Sequence, residues 1–523
     1  MRLPFLNSLN KKTEITEQFK GLNQNAVGSD NEFSDMKNIS LDDYPCIGAR
    51  KKRGVSEKHL TTPKGFLFKN GLFYIDGTNA YYKDSNVFTV TDTEKIIVGI
   101  GAYICVFPDN KMYNTFTGEL TELAAHLAPT GAVTFAPLSS KSVYTKITLS
   151  GIGNLFKTGD NVTISGCTNA ELNGTKIISD SEADYIVVTG VIDKEFTQSS
   201  GLSFDRKIPE FDFVCEKNNR LWGCSSKNHE IYACKVGDPK NWYNYETGAD
   251  MAYAATIGSD GDFTAIAPYS SYVLFFKENC IHILRGDKPS NFTIYEKELP
   301  GVKADCYGSV CTIDETLYYV SHNGVYAFDG AVPQLISDSI KGNITEAVSG
   351  NYDSKLYISC KIDGVRTLLV YDPRLRSWVK EDDTVFRYSD TKDGMLYILD
   401  DNGDICPIYG DRDEVIDWEL ESCDQYGSSI DTKYISNIKV NLWMAIGSEV
   451  TVYLKCDDEP IWQRMSYIRS TANKTYLIPI IPKRCSKYRI KLSGKGAFKL
   501  YAVSRDIEGG SAYNGNIHKQ YRR

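Results

Sequence analysis

Residues 309–337 read SVCTIDETLYYVSHNGVYAFDGAVPQLIS, and the fold turns on this stretch. Two apolar runs, Leu317-Tyr318-Tyr319-Val320 and Val325-Tyr326-Ala327-Phe328, flank Ser321-His322-Asn323-Gly324, and Asp329-Gly330 closes the second run. Asn-Gly supplies the positive φ angles of a tight hairpin turn, while β-branched and aromatic side chains suit half-buried strand faces. The stretch predicts a β-hairpin.

A lone hairpin is marginal in water, so its apolar face needs neighbours of the same build. The chain supplies them. FLFKNGLFYIDGTNAYY ends at Tyr82, IVGIGAYICVFPDNKMY at Tyr113 and DFVCEKNNRLWGCSSKNHEIY at Tyr232. VLFFKENCIHIL ends at Leu284, SKLYISCKIDGVRTLLVYDPRLRSW at Trp378 and MLYILDDNGDICPI at Ile408. With the opening stretch these make seven units of one form: a strand, a polar turn, and a second strand often ending in an aromatic residue. The later units recur at roughly 40 to 50 residues, the spacing of propeller blades. Radial repetition shields the strand edges of each small sheet, so the reading is an all-β chain built on a β-propeller of about seven blades, regular or irregular. An irregular antiparallel meander or a sandwich is the alternative.

At 523 residues the chain exceeds one core, and roughly two to four domains are expected. A hydrophobic fraction of 42% and 34 tyrosines describe an ordered chain biased to strands. The net charge of −8 argues against wrapping duplex DNA through a basic face, which needs clustered Lys and Arg. It leaves room for a lumen through which DNA passes ungripped. The 14 cysteines show no CxxC pair, so they read as reduced thiols packed as small hydrophobes. No run approaches 18 apolar residues, and neither a signal peptide nor a membrane span is expected.

Residues 1–60 lack the repeat. Gly21, Gly28, Pro45 and Gly48 punctuate them, which predicts an extended arm with few helical turns. Arg50-Lys51-Lys52-Arg53 reads as a solvated loop, with contact to nucleic acid or acidic neighbours as the sharper alternative. The first part of the propeller would span 61–127 and the remainder 207–412. Between them, 128–206 carries TKITLSG, GDNVTISG, GTKIIS and YIVVTG, the pattern of a small β-barrel inserted at a loop. From 413 to 508 the strands lengthen and alternate strictly, indicating a C-terminal β-sandwich. Residues 509–523 read as a flexible, basic tail.

The sequence FKGLNQNAVGSDNEFSDMKNISLDDYPCIGARKKRG, residues 19–54, resembles the N-terminal arm of tailed-bacteriophage tail stabilisation, hub or nozzle proteins. The resemblance rests on Phe19, Gly21 and Leu22, on Phe33, Asp35, Met36 and Asn38, and on Tyr44, Pro45, Arg50 and Arg53. A second matching piece runs from Val320 to Gly330 and on to Leu335-Ile336-Ser337. It implies a virion structural protein made in the host cytoplasm and placed in the phage tail. The implied partners are itself as a ring, by resemblance a hexamer, and portal, adaptor or other tail proteins, with double-stranded DNA only as passing cargo. The arm residues would then strap one subunit to the next.

No chemistry is expected of such a protein. The six histidines show no metal-ligand spacing, no HExxH or Walker A sequence occurs, and no Gly-Ser pair belongs to a GxSxG elbow. Asp400-Asp401-Asn402-Gly403-Asp404 lacks the final Glu of a calcium loop and reads as a hairpin turn. No catalytic residue, metal or cofactor is assigned. The rival reading is a peripheral tail protein that binds or hydrolyses host glycans, with Trp222, Trp242 and Trp378 as sugar platforms rather than packing residues.

Overall fold

A computed structural model describes residues 11–139, 142–427, 432–469 and 474–509. The expected flexible tail falls, apart from Gly509, outside the described residues. The regular structure is nearly all strand, and the chain divides into two compact units, one of residues 1–59, 318–330 and 334–523, the other of 60–317 and 331–333. Among the described residues no helix is long and apolar enough to cross a membrane.

Each of the seven repeated stretches lies within its own four-stranded antiparallel sheet. Sharp turns connect the strands. Asp363-Gly364 and Asp393-Gly394 adopt the paired positive φ angles of a two-residue hairpin turn, at 49° and 84° and at 51° and 78°. In the opening stretch the hairpin joins Thr316–Ser321 to Gly324–Phe328. Its glycine has a second reason to be there: a Cβ on Gly324 would fall 2.3 Å from Ser337 Oγ, which accepts the Val325 N–H at 2.8 Å.

In the 60–317 unit, four of these sheets stack face on face. Phe73 and Ile75 pack against Ile104 and Val106; Cys105 and Phe107 against Leu221 and Trp242; Trp222 and Cys224 against Val273 and Phe275. Every one of these side chains is buried, and a buried Phe or Leu contributes about 1.5–3 kcal/mol. The first strands of successive sheets also meet: Pro63–Phe68 with Ile96–Ile100, Ile96–Ile100 with Phe213–Glu216, and Phe213–Glu216 with Ala265–Tyr269.

Between the second and third sheets of this unit, strands from Ala125–Leu127 to Ser203–Arg206 form one eight-stranded antiparallel sheet around its own core of Phe135, Ile147, Phe156 and Phe204. All four predicted strand segments of the insertion are present. Its terminal strands, Ala125–Leu127 and Phe196–Gln198, do not pair with each other, so the sheet curls without closing by hydrogen bonds.

In the other unit the C-terminal strands form two facing sheets, joined at their core by Trp418 and Phe498, whose rings stack at 3.5 Å. The strand Glu449–Cys456 alternates half-buried and buried residues along its whole length, as its sequence predicted. The N-terminal segment corrects the sequence reading. It is not a separate arm: Lys11–Thr16 and Ile47–Ala49 pair with Phe498–Gly509, and Phe33–Lys37 pairs with Asp417–Ser422, so it supplies strands to both sheets. The physical reason is apolar content. Phe33, Met36, Ile39, Leu41 and Ile47 are all buried, and glycine punctuation had masked that spacing.

One more N-terminal strand has a separate role. Lys58–His59 pairs with Asp404–Pro407 and becomes the fourth strand of the sheet formed by Tyr388–Lys392, Met395–Leu399 and Asp404–Pro407.

Candidate functional site

The arm residues singled out by sequence come together as an internal junction. Phe19 and Phe33 are buried with ring centroids 6.0 Å apart, and Phe19 N–H donates to the Pro45 carbonyl at 3.1 Å. Leu22 N–H donates to Trp378 O at 2.6 Å, and Phe33 N–H to Gly21 O at 3.2 Å. Gly21 is required by this approach, since a Cβ would stand 1.9 Å from the Trp378 carbonyl oxygen. Tyr44 stays exposed.

Asn38 is the pin of the junction. It adopts φ +56, a left-handed conformation that asparagine tolerates. Its N–H donates to Glu381 O at 2.6 Å, its side-chain amide donates to Asp417 O at 2.7 Å, and its Oδ1 accepts from Arg50 Nε at 2.7 Å.

The solvated-loop reading of the basic run is corrected at both ends. Arg50 and Arg53 are 5% and 7% exposed, while Lys51 and Lys52 face solvent. Arg50 Nη2 lies 3.0 Å from both Asp382 and Glu414, and Arg53 Nη2 lies 2.7 Å from Glu381 and 2.8 Å from Asp382. Tyr409 donates its hydroxyl to Glu381 and presents its ring to the Arg53 guanidinium at 5.4 Å. Burial raises the pKa of Glu381, and the two arginines only partly oppose it. Burial also works against Asp382, but Arg53 and Arg50 win there and hold it at about 2. Such a cluster fixes geometry, and both guanidinium groups are consumed by it.

In the other unit, a cleft of about 610 Å³ is lined by Asn110, His126, Asp205, Lys207, Lys227 and Tyr243. His126 Nδ1 lies 2.5 Å from Asp205 Oδ1, and Asp205 Oδ2 accepts the Ser203 hydroxyl at 3.1 Å. The serine donates to the carboxylate rather than to the imidazole, so the three groups do not stand in the serine–histidine–carboxylate order of a nucleophile relay.

One cluster brings a histidine together with partners that its sequence spacing did not suggest. Cys280, His282 and Glu296 bring a thiol, an imidazole and a carboxylate within 4.8 Å of one another. Burial lowers the His282 pKa, which favours the neutral imidazole, and pushes the Cys280 thiol up. The Cys280-Ile281-His282 spacing can be read in the sequence, but the cross-strand partner Glu296 is not visible without the register.

The remaining candidates are accounted for by packing. Trp222, Trp242 and Trp378 are 4%, 0% and 2% exposed, and each indole N–H donates to a backbone carbonyl, of Lys217, Pro239 and Ile336 respectively. Asp400 Oδ1 accepts the N–H groups of Asn402 and Asp404, both at 2.9 Å, so this carboxylate folds its own turn. All fourteen cysteines carry free thiols.

No family model matches the chain, and no curated protein does. Among solved structures it is similar to the computationally designed Ika8 protein at 10% identity and a TM-score of 0.37, over 68% of this chain and 99% of the other. It is similar to the endosialidase of phage phi92 at 12% identity and a TM-score of 0.16, over 78% of this chain and 56% of that one. It is also similar to an exo-β-1,3-galactanase of Phanerochaete chrysosporium at 8% identity and a TM-score of 0.20, over 56% and 94% of the two chains.

Proposed function

We propose that this chain is a structural subunit of a bacteriophage tail, a hub, nozzle or stabilisation protein that assembles as a ring around the DNA channel. Within it the seven four-stranded sheets are the blades of one propeller. Face-on packing and first strands that meet, among the four sheets of the 60–317 unit, support that reading, since both are what radial repetition of a small sheet requires. The tail assignment rests on the resemblance of residues 19–54 and 320–337.

The observation that carries the assembly role lies in the C-terminal sheets. Gln463–Arg469 ends one sheet and Lys474–Ile478 ends the other, and among the described residues neither strand has a second neighbour. Tyr467 and Leu477 on these edges are 45% and 60% exposed, and Ile461 and Ile481 beside them 73% and 84%. An open strand edge flanked by apolar side chains is a template for pairing with another chain, and a second copy of this one is the occupant a ring supplies. Contacts, rather than catalysis, are the work of the protein in this reading. The tryptophans that would stack a sugar are buried, which leaves the glycan reading without its platforms.

The test is the assembly state of the purified chain and of the double variant Tyr467→Lys, Leu477→Lys, by light scattering and electron microscopy. Closed rings of the parent chain and folded single chains of the variant are expected. A parent chain that stays single at every concentration reached, or tagged virions with no label on the tail, overturns the reading.

A further inference from the structure

His282 lies in the strand Ile281–Arg285, and Cys280, two residues before it, stands in the turn that leads into that strand. Glu296, on the neighbouring edge strand Thr293–Lys297, is the register partner of His282. One donor atom from each of the three residues lies within 4.8 Å of the others, brought together by a turn and two strands. Cys280 Sγ stands 3.7 Å from His282 Nε2, and Ser259 Oγ stands 2.8 Å from the same nitrogen. A tetrahedral zinc ion with bonds of about 2.3 Å to sulfur and about 2.0 Å to nitrogen sets those two atoms about 3.6 Å apart. The thiol and imidazole already stand at that separation. Both residues are buried, while Glu296 is exposed, which gives an ion a way in from solvent.

We propose that Cys280, His282 and Glu296 form a binding site for one borderline-soft divalent cation, zinc foremost, with the Ser259 hydroxyl or a water molecule in the fourth position. The donor set selects the class. One sulfur, one imidazole nitrogen and one carboxylate suit zinc and its transition-metal neighbours, whereas calcium and magnesium take oxygen ligands. On binding, the thiol releases its proton to solvent and Nε2 exchanges its hydrogen bond with Ser259 for the metal.

Charge decides whether the buried ammonium nearby forbids this. Lys277 is 2% exposed, and its Nζ donates to Ser259 O at 2.6 Å. A bare dication beside it would be repelled. One thiolate and one carboxylate cancel the two positive charges, so the lysine faces a neutral unit. A hydrogen bond from Ser259 alone would satisfy the histidine, but it gives no reason for a thiol and a carboxylate to gather within 4.8 Å of the imidazole. The ion would tie Thr293–Lys297, the outer strand of its sheet, to its neighbour and to Ser259. The site is independent of the tail assignment.

The test uses the full chain, stripped by chelator and titrated with cobalt(II) and zinc(II) separately. One cobalt per chain is expected, with the near-ultraviolet thiolate-to-cobalt charge-transfer band, displaced by zinc. Cys280→Ser should abolish the band, and Glu296→Gln, an exposed change that leaves the core intact, should weaken binding about tenfold or more. Cobalt binding without the thiolate band, no binding at all, or unchanged affinity in Glu296→Gln each overturns the proposal. If Cys280→Ser fails to fold, the Glu296→Gln titration decides alone.

Discussion

Arg53 grips Asp382 with two prongs: Nη2 donates to Oδ1 at 2.8 Å and Nε to Oδ2 at 3.2 Å. Burial raises the Asp382 pKa, but Arg53 and Arg50 outweigh it and bring the group to about 2. An unfolded aspartate titrates near 3.9, so the carboxylate contributes stability above about pH 4 that is lost as pH falls toward about 2. The shift corresponds to roughly 2 kcal/mol. Glu381, whose pKa is raised, works in the opposite direction: its contribution is present at low pH and fades as pH rises through its folded value. Urea titrations from pH 5 to pH 2 should therefore show a steeper acid loss in the parent chain than in Asp382→Asn. Parallel curves would remove Asp382 from the account.

Truncating the other partner should cost more. Arg53→Ala leaves Glu381 and Asp382 buried without their shared cation, and breaking such a pair costs about 3–5 kcal/mol. Arg53→Lys should recover only part of this, because an ammonium is a point donor and cannot reproduce the fork across two carboxylates. Thermal denaturation of the three proteins, ranked parent, Lys, Ala, is the measurement.

Gly21 offers a test that involves no charge. A Cβ there meets the Trp378 carbonyl oxygen at 1.9 Å, and backbone cannot yield as a flexible side chain can. Gly21→Ala should destabilise by about 1–3 kcal/mol, while Gly77→Ala, in open space at φ +60, should show only the smaller strain of a left-handed backbone. Equal losses at the two sites would mean that the approach to Trp378 is not what selects glycine.

Deletion of residues 1–54 separates two pictures of the N-terminus. An arm that only straps neighbours could be removed cleanly. The strands observed here complete both C-terminal sheets, and the deletion also strips Arg50 and Arg53 from three carboxylates. The truncated chain is expected to lose near-ultraviolet circular dichroism and to aggregate. A soluble product with native spectra would restore the detachable arm.

With Arg50 and Arg53 consumed internally and a net charge of −8, the folded chain should bind duplex DNA negligibly at physiological salt. A salt titration against labelled duplexes of differing sequence measures this. Tight, sequence-selective binding that survives 200 mM salt, on the order of the range where phosphate contacts are mostly lost, would end the conduit reading.

The parts of the fold legible in the sequence were the local ones. Glu449–Cys456 and the hairpin at Asp363-Gly364 announce themselves through a two-residue period and turn chemistry that need no distant partner. Lys58–His59 has no period, being two residues long, and its identity as a strand exists only through Asp404 and Ile405. Arg50 and Arg53 read as solvated because their carboxylates lie 364 and 329 positions away in the chain. The metal-ligand cluster was hidden for the same reason. Cys280 and His282 are two residues apart in the sequence, but Glu296 joins them only once the strand register is known.

The pairing of Lys58–His59 with Asp404–Pro407 also sets a schedule for synthesis. His59 leaves the ribosome 345 positions ahead of the aspartate it contacts. At about 5–20 residues per second the early strand waits for tens of seconds with its backbone unpaired. Throughout that interval the two residues are solvated chain, and the fourth strand of that sheet comes into being only when Asp404 and Ile405 arrive. That sheet therefore closes late in synthesis, after residues 60–400 have been made.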